Sequence, residues 1–176
     1  IFGDMPQKKF PIYNFSERVE VVSDEPLVDA ERILTKFTRR AFRRTVAADD
    51  VAPFVAIVQA KLDGGYTFEL AMRAALKGVL ISPEFLFLRE RPGQLDDFSL
   101  ACRLSYFLWS TMPDDELFAL ASAGKLRDGK VVTAQIKRML ADPKAEQLVR
   151  NFAGQWLSVR EYGSVQPAAD YKNYDK

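Results

Sequence analysis

The fold is decided by residues 95–124, which read LDDFSLACRLSYFLWSTMPDDELFALASAG. The first half of this stretch has apolar residues on nearly every side of a helix, and such a helix belongs at the centre of a protein. The second half carries the signals of a new helix, with a cap at Thr111 or Met112 and Pro113 near the first helical position. The stretch therefore predicts a buried central helix that turns directly into a second helix.

Helical patterns continue on both sides of this stretch. A second helix is expected from about Ala48 to Leu62, and Thr67 can cap a third. Asp128 and Asp142 are the expected caps of two later helices. The sequence predicts an all-α protein of seven to eight helices in an irregular bundle around the central apolar helix. The expected organisation is an extended lead-in (1–28), a first helical domain (29–92), a second helical domain packed on the first (93–160) and a polar, aromatic tail (161–176).

The lead-in contains three prolines and has no helical period. It is expected to lie extended on the first domain. Alternatively, the apolar residues around Val19 form an edge strand whose partner lies elsewhere.

Composition excludes several kinds of chemistry. The chain has no histidine, which removes the commonest general base and transition-metal ligand. Cys102 is the only cysteine, so the chain forms no internal disulfide, Cys-rich zinc site, iron–sulfur site or c-type haem attachment by itself. We therefore expect no catalytic, cofactor-binding or metal-binding residue in this segment. A net charge of +1 gives no general attraction to nucleic acid, and no apolar run is long enough to span a membrane.

Four arginines form a candidate site for an anion or an acidic partner. They are Arg39, Arg40, Arg43 and Arg44, in the run FTRRAFRR at residues 37–44. Guanidinium groups bind oxyanions through two parallel hydrogen bonds. The alternative, which we favour, is a solvated helix face whose arginine stems shield apolar neighbours.

Two residues of the central helix have expected structural roles. Arg103 is a basic residue on a helix that is predicted to be buried, so we expect a structural ion pair there. Cys102 is expected to be a small buried apolar residue, since no histidine could activate it as a nucleophile. The aromatic residues of the second domain are expected in the core, because they fall at helical spacings: Tyr106, Phe107, Trp109, Phe118, Phe152 and Trp156.

Two carboxylate clusters could act as paired acids or hold a hard cation. The first is Asp96 and Asp97, and the second runs from Asp114 to Glu116. Glycoside hydrolases use two carboxyl groups as their catalytic pair, and calcium is bound by clustered carboxylate and carbonyl oxygens. Both clusters stand where helices begin, and capping accounts for them without further assumption.

Three groups of motifs resemble a known pair of families. They are FTRRAFRR (37–44) with ISPEFLFLRE (81–90), RLSYFLWS (103–110) with MPDDEL (112–117), and RMLADPK (138–144) with NFAGQWL (151–157). Together they resemble two consecutive helical domains of unknown function from large exported planctomycetal multidomain proteins, which often carry c-type cytochrome segments. The resemblance covers residues 30–160 and transfers no catalytic residue.

The resemblance implies where the protein is located and which domains accompany this segment. We expect a non-catalytic helical scaffold or interaction module within a larger periplasmic or extracellular protein, with neighbouring domains of the same chain as partners and haem c elsewhere in the parent. The chain starts at Ile1, and we expect any targeting signal upstream. One alternative is a wall of a redox enzyme site completed by a haem domain of the parent. Another is a basic helix that binds an acidic polymer or partner protein.

One departure from the family pattern has a physical consequence. The family usually has Arg-Pro-Val-Thr where this chain has Arg44, Thr45, Val46 and Ala47. Without the threonine, the start of the second helix lacks a capping hydroxyl, at a cost of about 1 kcal/mol. The substitution Ala47→Thr is therefore predicted to raise the melting temperature.

Overall fold

A computed structural model describes residues 1–12, 16–88, 90 and 92–158, and the chain is mostly helical. The expected all-α class with an N-terminal lead-in is confirmed. The chain divides into two compact units, Ile1–Arg91 and Pro92–Lys176. The expected tail, residues 161–176, lies outside the described residues. No helix in the described part of the chain is both long enough and apolar enough to cross a membrane.

The extended lead-in forms a β-hairpin, so the alternative that its strand pairs with a distant partner is wrong. Strands β1 (Gln7–Ile12) and β2 (Ser16–Val21) are antiparallel, with Lys9 opposite Val19. The backbone N–H of Val21 donates a hydrogen bond of 2.7 Å to the carboxylate of Glu69. The partner of β2 is therefore the segment immediately before it, and a buried carboxylate fixes the hairpin to the helices of the first unit.

The described residues of the first unit form the helices α1 (Pro26–Phe42), α2 (Ala48–Asp63), α3 (Phe68–Leu80) and α4 (Pro83–Leu86). Proline at the first turn starts α1 and α4, where its missing N–H costs no hydrogen bond. Their apolar faces meet in one core, whose fully buried members include Leu34, Val58, Met72 and Val79.

The second unit contains α5 (Asp97–Trp109), α6 (Asp115–Ser122) and α7 (Gly129–Ala141). A helical stretch follows, made of a 3₁₀ turn, α8, a π-helical turn and α9 (Pro143–Ala145, Glu146–Leu148, Val149–Ala153 and Gly154–Trp156). The core of the second unit contains Trp109, Leu117, Leu126 and Met139, among others.

Aspartates begin the helices of the second unit. The carboxylates of Asp128 and Asp142 accept hydrogen bonds from backbone N–H groups two residues later, which confirms both as caps. The expected cap of α6 at Thr111 or Met112 is wrong, because Asp114 occupies that position and accepts from the N–H of Leu117. A short polar side chain next to the helix start supplies a better acceptor than the residues before the proline.

The third helix begins where it was expected, but without the expected cap. Thr67 occupies the N-cap position of α3, yet its side chain makes no capping bond. Its hydroxyl oxygen is buried without a hydrogen-bond partner.

The central helix is less completely wrapped than its apolar sequence predicts. Ala101, Cys102 and Leu108 are buried, which confirms the expectation for the cysteine. Arg103 and Phe107 are both exposed. The prediction that α5 is buried on every side is therefore wrong for the face that carries these two residues.

Candidate functional site

The C-terminal end of α5 brings together side chains from three of the sequence motifs. Trp109, the last residue of α5, is only 2% exposed. Its indole N–H donates a hydrogen bond of 2.9 Å to the backbone carbonyl of Met139 near the end of α7. A buried indole N–H needs such an acceptor. This bond therefore fixes the end of α5 against the end of α7.

Two cations lie close to the ring of Trp109. The guanidinium carbon of Arg138 is 5.4 Å from the ring centroid, and the Nζ of Lys144 is 4.5 Å from it. Both distances fall within the range of cation–π attraction, which is worth about 0.5–2 kcal/mol for each cation. Asp142 positions Lys144, because the backbone N–H of Lys144 donates to the Asp142 carboxylate.

Asp114 joins this group through Arg138. One terminal guanidinium nitrogen of Arg138 donates to the carboxylate at 2.8 Å, while the N–H of Leu117 donates to the other oxygen at 2.9 Å. Burial acts to raise the pKa of Asp114, but the hydrogen bonds from Arg138 and Leu117 outweigh it and lower that pKa. The same hydrogen bond raises the pKa of Arg138. The pair is therefore ionised on both sides at neutral pH.

We call Trp109, Asp114, Arg138 and Lys144 the Trp109 cluster. Arg138 also donates to Gln135 at 2.8 Å, and Gln135 in turn donates to Glu116 at 2.7 Å. The cluster therefore connects α5, α6 and α7 through the Arg138–Asp114 hydrogen bond and through cation–π contacts with Trp109. The described residues include no group of three or more His, Cys, Asp or Glu side chains placed to hold a metal ion.

The first carboxylate cluster divides into two different structural roles. Asp96 caps α5 by accepting from the N–H of Ser99 at 2.7 Å, as expected. Asp97 is buried and accepts from the N–H of Leu126 at 2.7 Å and from the Nε of Arg127 at 2.8 Å. The capping explanation is therefore wrong for Asp97, whose charge instead holds the loop before α7.

The four arginines in the last turn of α1 and directly after it do not form a single exposed surface. Arg39 and Arg40 are exposed, whereas Arg43 is buried in a left-handed conformation with φ of 56°. Arg43 donates to the carbonyls of Glu84 and Phe85 at 3.2 and 2.9 Å, at the end of α4.

Arg44 is also engaged inside its unit. Its two terminal nitrogens donate to the two oxygens of Asp50 at 2.9 and 2.8 Å. The candidate patch of four arginines therefore does not include Arg43, which is buried, and Arg44 is held in an ion pair with Asp50. Anion binding by Arg39 and Arg40 stays a prediction.

Arg103 does not have the buried position that motivated its expected ion pair. Its side chain is exposed on α5, so the burial part of that expectation is wrong. The structural ion pair of Arg103 stays a prediction. A buried carboxylate of this unit, that of Asp97, pairs instead with the half-exposed Arg127, and no local sequence pattern indicates this pair.

Three aromatic residues that were expected in the core lie on the surface of the second unit. Phe107, Phe152 and Trp156 are 54%, 51% and 74% exposed. The rings of Phe107 and Phe152 meet edge to face at 5.6 Å, and those of Phe152 and Trp156 stack at 6.2 Å. We call these three residues the aromatic face. Trp109 and Phe118 are buried as expected.

The fold places the protein among helical domains, and many of its motif residues contact other residues of the same domain. Residues 29–90 match the family model described as PSD5: Protein of unknown function (DUF1595), and residues 95–176 match PSD4: Protein of unknown function (DUF1592). The chain therefore carries two consecutive domains of unknown function, which confirms that part of the expected resemblance. No curated protein and no solved structure is significantly similar to the chain.

Proposed function

We propose that this chain is a non-catalytic helical scaffold module that positions neighbouring domains of a larger exported protein. The observation that carries the proposal is the Trp109 cluster. The motifs that give the second domain its family resemblance supply Trp109, Asp114, Arg138 and Lys144, and these side chains contact one another. A scaffold needs such rigid junctions between helices.

The condition of the carboxylates supports the same proposal. A general acid or base must be able to exchange a proton with a substrate. Asp114 binds Arg138 and the N–H of Leu117 through its two oxygens. Asp97 binds Leu126 and Arg127 in the same manner. These two carboxylates therefore stabilise helix starts and loops.

The proposal also covers the cellular location of the module and the domains that accompany it. The resemblance to exported planctomycetal proteins supports a periplasmic or extracellular location, with other domains of the same parent chain as partners. It also supports haem c as a cofactor of another domain of that parent. Both parts rest on the resemblance alone.

The experiment compares two adjacent carboxylates in the longest polypeptide that contains this chain. Asp114→Asn removes the charge that pairs with Arg138, whereas Asp115→Asn removes an exposed charge one residue later. The melting temperature and the turnover of the parent are measured for both variants. Arg39→Gln and Arg103→Gln extend the set to other exposed side chains.

A scaffold predicts that turnover falls only in variants whose melting temperature also falls. Asp114→Asn should lose both, and any of the three exposed substitutions that keeps the melting temperature should also keep turnover. An exposed variant that abolishes turnover at an unchanged melting temperature would contradict the proposal and support a site wall in a redox enzyme.

A further inference from the structure

The scaffold role does not account for the aromatic face of the second unit. Its three rings follow one another at centroid distances of 5.6 and 6.2 Å and are all more than half exposed. Contiguous exposed apolar surface of this kind usually marks a contact site. Next to Phe152, the side-chain amide of Asn151 donates to the hydroxyl of Ser110 at 2.8 Å, which links this segment to the end of α5.

The family match places the chain that follows the aromatic face in the same domain as the face. It covers residues 95–176 as one domain, so it contains both the aromatic face and residues 159–176, which lie outside the described part of the chain. Residues of one domain share a common core. This segment begins three residues after Trp156 and carries aromatic side chains at Tyr162, Tyr171 and Tyr174.

We propose that the aromatic face is the docking site for residues 159–176 of the same chain. The helical stretch ends at Ser158, whose φ of 54° is typical of the residue that turns a chain away from a helix. An extended residue spans up to about 3.3–3.6 Å, so the four residues from 159 to Tyr162 have the reach to run the length of the face.

Ring-to-ring contact supplies the attraction. Aromatic pairs at centroid distances of about 4.5–7 Å contribute roughly 0.5–1.5 kcal/mol each beyond the burial of their area. The tyrosines also keep a hydroxyl group at the solvent boundary, which suits a contact that is covered on only one side. This docking does not depend on the scaffold role and would hold for an enzyme domain equally.

The test uses tryptophan fluorescence of the complete 176-residue chain. Trp109 is buried and Trp156 belongs to the aromatic face, so a collisional quencher such as acrylamide reports mainly on Trp156. A Trp156→Phe variant supplies the background signal of Trp109. Two matched triple variants are compared with the unaltered chain, one with Tyr162, Tyr171 and Tyr174 changed to Ser and one with the same residues changed to Phe.

Docking predicts that Trp156 is protected from acrylamide in the unaltered chain and in the phenylalanine variant. In the serine variant, the quenching constant of Trp156 should rise about two-fold or more, because the covering rings are lost. Far-UV circular dichroism checks that all variants stay folded. The proposal is overturned if Trp156 is quenched equally in the serine and phenylalanine variants. It is also overturned if protection appears only at high protein concentration, which would identify a second copy as the cover.

Discussion

Ala47→Thr adds a hydroxyl group at a helix start that has only half of a capping box. Ala47 is the N-cap residue of α2, with φ of −90° and ψ of 169°, a conformation that threonine adopts readily at this position. The carboxylate of Asp50 already accepts a hydrogen bond of 2.8 Å from the N–H of Ala47. The reciprocal bond, from the N–H of Asp50 to an N-cap side chain, has no acceptor because alanine has no oxygen.

The expected gain follows from this geometry. An N-cap hydroxyl is typically worth about 1 kcal/mol. The N–H of Asp50 already reaches the carbonyl of Ala47 at 3.1 Å, so we expect a gain of about 0.5–1 kcal/mol. For a unit the size of Ile1–Arg91, that corresponds to a rise in melting temperature of about 2–8 °C. Ala47 is exposed, so the larger side chain meets no obstacle.

Differential scanning calorimetry of the complete chain measures the effect. Ala47→Val is the matched control, since valine has the branched shape of threonine without its hydroxyl. The reasoning requires the threonine variant to melt above both the valine variant and the unaltered chain. Equal melting of the two variants would refute the capping argument, and a fall with threonine would place the helix start elsewhere.

Two further predictions concern buried and paired carboxylates. Asp97→Ala should reduce the free energy of unfolding by about 1–3 kcal/mol, because the N–H of Leu126 loses its acceptor. Asp97→Asn should reduce that free energy by less, since asparagine keeps one side-chain oxygen. Urea unfolding measures both variants. Hydrogen bonds from Arg44 and Ala47 lower the pKa of Asp50 to about 2 from 3.8, so its stabilisation is present above the higher value and is lost as the pH falls through the lower one. Between these two pH values, the Asp50→Asn variant should lose about 1 kcal/mol less stability than the unaltered chain, an amount reduced because Asp50 is partly exposed. The assignment is contradicted if the melting temperature of the variant falls with acid as steeply as that of the unaltered chain.

Local signals in the sequence predicted a large part of the fold. The caps at Asp128 and Asp142 were predictable because each aspartate binds a backbone group two residues away. At the start of α2, Asp50 binds a backbone group three residues earlier, the N–H of Ala47. Helix class and approximate bounds therefore follow from capping residues and from the period of the apolar side chains.

The rest depends on contacts that no local pattern encodes. Asp97 pairs with Arg127, 30 residues away, and looks identical in sequence to its capping neighbour Asp96. The spacing of Phe152 and Trp156 places both on one side of a helical stretch, but it does not say which side is covered. Four closely spaced arginines likewise do not reveal that Arg43 turns inward at the end of its helix.

A double-mutant cycle on Asp114 and Arg138 tests the central claim most directly, since these residues carry the ion pair of the Trp109 cluster. The free energies of unfolding are measured for Asp114→Asn, Arg138→Met, the double variant and the unaltered chain. If the cluster holds α5, α6 and α7 together, each single variant should be destabilised and the coupling energy should be about 1–2 kcal/mol. Single variants that stay as stable as the unaltered chain, with a coupling energy near zero, would contradict the claim that these family motifs serve the fold.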